Sequence, residues 1–100
     1  PSLEHFITNS IFNGNLEAGE KAWKFIQILR EEGGIEREKW KELLERIGAT
    51  RGEFYVNIRP KLLGLGLVKL SKGRYILSEE FADILQRIAM LWEVFLGEVE

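Results

Sequence analysis

Cysteine is absent from this 100-residue chain, which carries a single histidine, His5, and a single aspartate, Asp83. Without thiols there is no disulfide framework, no thiolate zinc site and no cysteine nucleophile, and a reducing compartment is the simplest home. One histidine and one aspartate assemble neither a metal cluster nor a Ser-His-Asp arrangement, so His5 reads as a surface or interface residue and no enzyme is expected. Long apolar runs are missing too: none approaches the roughly 18 residues of a spanning helix. The N-terminus lacks the basic-then-apolar pattern of a signal peptide. A soluble cytoplasmic protein is the expectation. Glycine opens no phosphate-binding loop, because Gly64-x-Gly66 follows a helical stretch instead of preceding one, and no cofactor is expected.

What is present is a core. Apolar residues make up 45% of the chain and aromatics 11%, enough for one domain spanning residues 1–100 without staples. The richness in Glu, Lys and Arg, with no Cys and one Met, is compatible with a thermophilic source. The net charge of −2 conceals an uneven distribution. Residues 50–78 hold Arg51, Arg59, Lys61, Lys69, Lys72 and Arg74 against Glu53 alone, whereas residues 79–100 hold Arg87 against six acids. Asymmetry of this kind bears on partners and steering, not on fold. A basic stretch can also be plain solvated surface.

Along the chain, Leu3, Phe6, Ile7 and Ile11 recur at helical spacing behind Ser2, predicting a short amphipathic helix over 3–12 that stops at Asn13-Gly14-Asn15. From Leu16 to Glu32 apolar residues cover more than half of a helix surface, so this helix is packed on several sides; Gly33-Gly34 ends it. Trp40, Leu43, Leu44 and Ile47 then follow the i, i+3, i+4, i+7 pattern of a half-buried helix stopped by Gly48. Thr50-Arg51-Gly52-Glu53 is a capping box that starts a new helix at once. Two helices joined by so short a turn have the sequence form of a helix-turn-helix. The third helix is expected from Arg51 to about Gly64, with Phe54, Ile58, Leu62 and Leu65 inward and a kink or loosened turn at Pro60. Leu67–Ser71 and Arg74–Ser78 flank Lys72-Gly73 as a β-hairpin with a basic tip. Ser78 caps a last helix over 79–98, whose stripe of Phe81, Ile84, Leu85, Ile88, Trp92, Phe95, Leu96 and Val99 is widened by Met90, Leu91 and Val94. Trp23, Trp40 and Trp92 read as packing residues. The fold class is thus mainly α with a small β-hairpin.

This order, and in particular Leu62-Leu63-Gly64-Leu65-Gly66-Leu67-Val68 running into a hairpin, resembles the winged-helix superfamily, most closely small prokaryotic and archaeal transcription regulators of the MarR and ArsR kind. The resemblance covers about residues 16–78 and adds an N-terminal helix and a long C-terminal one. It implies that Ile35 forms a short first strand pairing with the wing. It also implies a DNA-binding transcription regulator whose helix 51–64 enters the major groove while the wing, 67–78, lies along the backbone. Thr50, Arg51, Glu53 and Asn57 are then the candidates for base contact, and Arg59, Lys61, Lys69, Lys72 and Arg74 for phosphate contact. The resembled regulators are dimers, which makes Phe81, Ile84, Leu85, Ile88, Leu91, Trp92 and Phe95 the expected interface of a homodimer on double-stranded DNA; the competing arrangement is a monomer with both terminal helices folded back.

One feature points elsewhere. Opposite the inward face of the third helix lie Val56, Pro60 and Leu63, where a groove-reading helix is ordinarily polar. Either the chain's own terminal helices cover that strip or another protein does. The alternative function is therefore a winged-helix interaction module of a replication or transcription complex.

Overall fold

The computed structural model describes residues 2–98, so Val99 of the C-terminal stripe lies outside the described residues. Helix α1 (Leu3–His5) starts at Ser2, whose Oγ accepts from the His5 amide at 3.1 Å. It runs directly into a π-helical stretch, Phe6–Ile11, closed by the Phe12 amide donating to the Ile7 carbonyl five residues back. The wider turn takes up an extra residue and rotates the inward face. Ile7, Thr8 and Phe12 are buried as a result, and Leu3 and Phe6, expected inside, are exposed.

Asn15 caps α2 (Leu16–Glu32) by accepting from the Ala18 amide. Ala18, Gly19, Ala22, Phe25, Ile26 and Leu29 bury its inner face, with Trp23 and Ile28 partly covered. Gly19 is the point of closest approach to the N-terminal helix: a Cβ there would stand 2.9 Å from Thr8 Cα and 3.0 Å from the Thr8 carbonyl oxygen. Strand β1 (Ile35–Glu36) and a 3-10 turn, Arg37–Lys39, lead into α3 (Trp40–Ile47), which buries Leu43, Leu44 and Ile47 and ends at Gly48 in the left-handed region.

The capping box forms as expected. The Glu53 amide donates to Thr50 Oγ1 at 3.1 Å, and the Thr50 amide donates to Glu53 Oε1 at 3.0 Å. The third helix then starts at Arg51, widens into a second π-helical stretch, Glu53–Ile58, and continues as α4 (Arg59–Leu65). The loosened turn lies immediately before Pro60. In regular α-geometry the proline ring would crowd the Val56 carbonyl and leave it without a donor; the widened turn, with the Arg59 amide donating to Phe54, relieves that crowding. Gly64 lies inside α4 and Gly66, at φ 86°, makes the cap. Phe54, Ile58 and Leu62 are buried as expected, whereas Leu65, the last residue of α4 before the Gly66 cap, is exposed.

Strands β2 (Val68–Ser71) and β3 (Arg74–Leu77) pair antiparallel, and β1 adds to the free edge of β3, giving the order β1-β3-β2 with Ile35 opposite Tyr75. Lys72 and Gly73 both have positive φ, 53° and 76°, as a two-residue primed turn requires. At the centre of the core Phe25, Phe54 and Tyr75 meet edge to face, with centroids 5.4–6.0 Å apart. Contacts of this geometry add about 0.5–1.5 kcal/mol each beyond the area they bury, and they tie α2, the third helix and the sheet together.

The last helix, α5 (Phe81–Glu98), behaves differently from the N-terminal one. It has no buried residue, and only Phe81 is half-covered. Its base touches the domain near Gly66, where the Phe81 and Ile84 side chains approach. Beyond that it projects. Trp92, read from the sequence as a packing residue and part of the expected dimer interface, is 58% exposed in the single chain. The projection explains extents of 52 × 31 × 23 Å and a radius of gyration of 15.1 Å, against about 13 Å for a compact chain of this length. No helix among the described residues is long and apolar enough to cross a membrane.

Candidate nucleic-acid interface

The Gly48–Thr50 turn sets α3 and the third helix one after the other, and the β2–β3 hairpin stands beside the third helix. Two contacts fix that placement. The Arg59 Nε donates to the Tyr75 hydroxyl at 2.9 Å, joining helix to β3. The Arg37 amide donates to the Gly73 carbonyl at 2.8 Å, holding the hairpin tip against the start of the α3 segment.

Across this surface runs a row of alternating cations and rings. The Arg51 guanidinium lies 5.0 Å from the Trp40 ring and 6.0 Å from that of Tyr55; the Arg59 guanidinium lies 5.8 Å from both Tyr55 and Tyr75. Lys41 adds to the far end, 5.5 Å from Trp40. Quadrupole attraction of this type restrains long side chains that would otherwise be disordered. Burial, first of all, pushes the Tyr55 hydroxyl above its ordinary pKa, so it stays a neutral hydrogen-bonding group. The spacing Arg51, Tyr55, Arg59 is i, i+4, i+8 and was open to reading from the sequence; the contributions of Trp40, Tyr75 and Arg37 required the tertiary structure.

The predicted contact residues divide into two groups. Arg51 and Lys72 are exposed and free to meet a ligand, and Asn57 is half-buried on the flank of the third helix. Of the others, Thr50, Glu53, Arg59 and Lys61 have hydrogen-bond partners inside the chain, while Lys69 and Arg74 line grooves that also hold glutamates. Thr50 and Glu53 are occupied by the capping box, and Glu53 also accepts from Lys21 Nζ at 2.6 Å. That ammonium, followed by the Thr50 amide, holds the Glu53 carboxyl below its ordinary pKa; Glu53, then Glu17, raises that of Lys21. Arg59 is bound to Tyr75. Lys61 turns to the N-terminal helix, donating to the Ile11 carbonyl at 3.2 Å with its ammonium over the Phe12 ring. Lys69 lies on the other side of the sheet, in a groove shared with Glu79 and Glu80. Arg74 stands opposite Glu36 and lines a groove with Glu32 and Glu42, away from the hairpin tip.

The apolar strip divides as well. Leu63 packs against the core, whereas Val56 is 71% exposed and Pro60 is open beside it. Neither terminal helix covers them. Among the described residues no group of His, Asp and Glu side chains could hold a metal ion.

These features define a mainly helical domain with a three-stranded antiparallel sheet and a basic, aromatic-backed face on its third helix. The chain belongs to an archaeal family, whose sequence model matches residues 4–97. No curated protein and no solved structure matches it.

Proposed function

We propose that this protein is a winged-helix DNA-binding protein, a cytoplasmic transcription regulator that acts as a homodimer. The observation that carries the reading is the placement of two free cations: Arg51, seated on Trp40 at the start of the third helix, and Lys72, at a hairpin tip anchored by Arg37. Support comes also from the strand order β1-β3-β2 behind two helices joined by a three-residue turn, the arrangement that lets a helix enter a groove while a hairpin follows the backbone. Arg51 would reach a base edge or phosphate near the helix start. Asn57 and Val56 would face the groove floor, Val56 toward a thymine methyl. Lys72 and Arg37 would meet phosphates.

The intramolecular partners of Arg59 and Lys61, and the placement of Lys69 and Arg74 in glutamate-lined grooves, lower the expected number of phosphate contacts. With Arg37, Arg51 and Lys72 engaged, log affinity for duplex DNA should fall against log salt with a slope of roughly −3 per chain, at about 0.9 for each contact. Fluorescence anisotropy with labelled duplex over a salt series measures it. Changing Arg51 and Lys72 together to Ala should remove about two contacts from the slope. No binding at low salt, where nonspecific attraction is strongest, would sink the reading.

The open pair Val56 and Pro60 favours a second reading, a protein-docking module. Val56→Lys separates the two: it would lose the thymine-methyl contact but keep the salt-dependent attraction to duplex DNA, and it would abolish docking on an apolar surface.

A further inference from the structure

Helix α5 leaves nine large apolar side chains, from Ile84 to Leu96, between 37% and 68% exposed. Trp92 and Phe95 would each bury about 150–250 Å² if fully covered, and with the seven aliphatic side chains beside them half exposure leaves several hundred square ångströms of apolar surface open along the rod. A monomer's largest apolar patch is ordinarily about 300–600 Å². An open strip at or above that range marks a partner surface, and a stable complex draws roughly 800 Å² from each partner.

We infer that a second copy of the chain covers α5, and that the two helices cross antiparallel with Ile88 of each against Leu91 of the other. This rests on the homodimer of the preceding reading and specifies its seam. The pattern of the helix decides the direction. Phe81, Ile88 and Phe95 form one row at seven-residue spacing and Ile84, Leu91 and Glu98 the other, so both rows face a partner in a two-helix pair. A parallel pair would set Glu98 against Glu98 of the second copy inside the seam, two like charges in a drying interface. The antiparallel pair sets Ile84 against Phe95 and Ile88 against Leu91, twice each by symmetry, and puts each Glu98 at the edge of the seam beside Phe81 of the other copy, far from the second Glu98. On the flank, Leu85 then meets Trp92 of the second copy. Trp92 is already packed on its own Phe95, with ring centroids 5.7 Å apart, so this flank is preformed. The charged residues Asp83, Arg87 and Glu93 lie outside this seam, which offers an oppositely charged partner nothing to recognise.

The absence of native cysteine makes the register directly testable. The full chain is prepared as Ile84→Cys and, separately, as Phe95→Cys, and each is oxidised alone and as an equal mixture after subunit exchange. Sedimentation of the unmodified chain runs alongside. Phe95 touches no part of the core, and far-ultraviolet melting confirms that both variants fold. In the antiparallel seam the two positions lie within disulfide reach of each other, while each is about 16 Å along the axis from its own copy. The expected result is a dimeric chain whose disulfide forms in the mixture and in neither variant alone. Crosslinking by each variant alone would overturn the antiparallel register and leave the dimer standing. A dimer that crosslinks in no combination would place the seam elsewhere. A monomer at micromolar concentration would overturn the dimer itself, and the DNA reading would still stand or fall on the salt series.

Discussion

Gly19→Ala adds one methyl group at the point where the N-terminal helix meets α2. Its neighbours are backbone: Thr8 Cα at 2.9 Å and the Thr8 carbonyl oxygen at 3.0 Å, with Phe12 Cβ at 3.2 Å. None of these is the free end of a flexible side chain, and Thr8 is further held by its Oγ1 donating to the Glu4 carbonyl. The two helices must separate by several tenths of an ångström, and forced overpacking of this kind costs about 1–3 kcal/mol. Better helix propensity returns about 0.8–1.0 kcal/mol. The net effect is a loss of up to about 2 kcal/mol, or a midpoint lower by as much as roughly 16 °C at about 4–8 °C per kcal/mol. Gly64→Ala is the control, since it has the same chemistry within α4 and nothing lies within 4 Å of the added group. There only the propensity gain acts, and the midpoint should rise slightly. Thermal melting followed at 222 nm and at one fixed protein concentration measures both. A Gly19→Ala chain that melts at or above the unmodified protein would refute the close approach, and with it the docking of the N-terminal helix.

Two further outcomes follow from polar groups. The folded-state pKa of Glu53 is depressed, so its contribution is present above the ordinary glutamate value of about 4.3 and is lost as pH falls through the folded value. Glu53→Gln should therefore melt lower than the unmodified chain near neutrality and lose less of its midpoint in acid; Glu32 beside Arg46 acts in the same sense in both proteins and cancels from the comparison. At the hairpin tip Lys72 occupies the left-handed region, which costs a non-glycine residue about 1–2 kcal/mol and Asn less. Lys72→Asn should raise the midpoint while lowering the salt slope of DNA binding by about one contact, opposite movements that melting and anisotropy would detect in the same preparation.

Helix boundaries were legible in the sequence because they are set locally. Gly33 and Gly48 end helices where a left-handed cap is needed, Thr50 and Glu53 open one, and Lys72-Gly73 turns a hairpin. The Pro60 irregularity was also legible as a location, though not as a π-helical turn, since propensity does not say which neighbouring turn absorbs the crowding. Leu3 and Phe6 were misplaced because apolar spacing assumes 3.6 residues per turn and the widened stretch Phe6–Ile11 shifts the face that points inward, and Leu65 because the helix ends there at the Gly66 cap. The candidate site was harder to read. Charge position along the chain located the basic segment, but whether a cation is free depends on its spatial neighbours. Lys61 meets Ile11 from fifty residues away and Arg59 meets Tyr75 across the sheet, and neither pairing leaves a local signal. The two terminal helices show the same limit. Both are apolar, yet one is sealed against α2 through Gly19 and the other stands clear of the domain.

Because α5 is an uninterrupted rod from Phe81 to Glu98, its length is counted in whole residues. Each inserted residue lengthens it by 1.5 Å and turns everything beyond by about 100°. A single insertion between Ile84 and Ile88 would thus turn Trp92 and Phe95 by about 100° away from the face of Ile84, while seven would restore their phase and add about 10 Å. Relatives within the family can drift in sequence along this helix far more easily than in length, and where lengths do differ the steps should be near seven. The helix is a gauge as well as a surface, and whatever it holds is kept at a quantised distance and angle from the third helix.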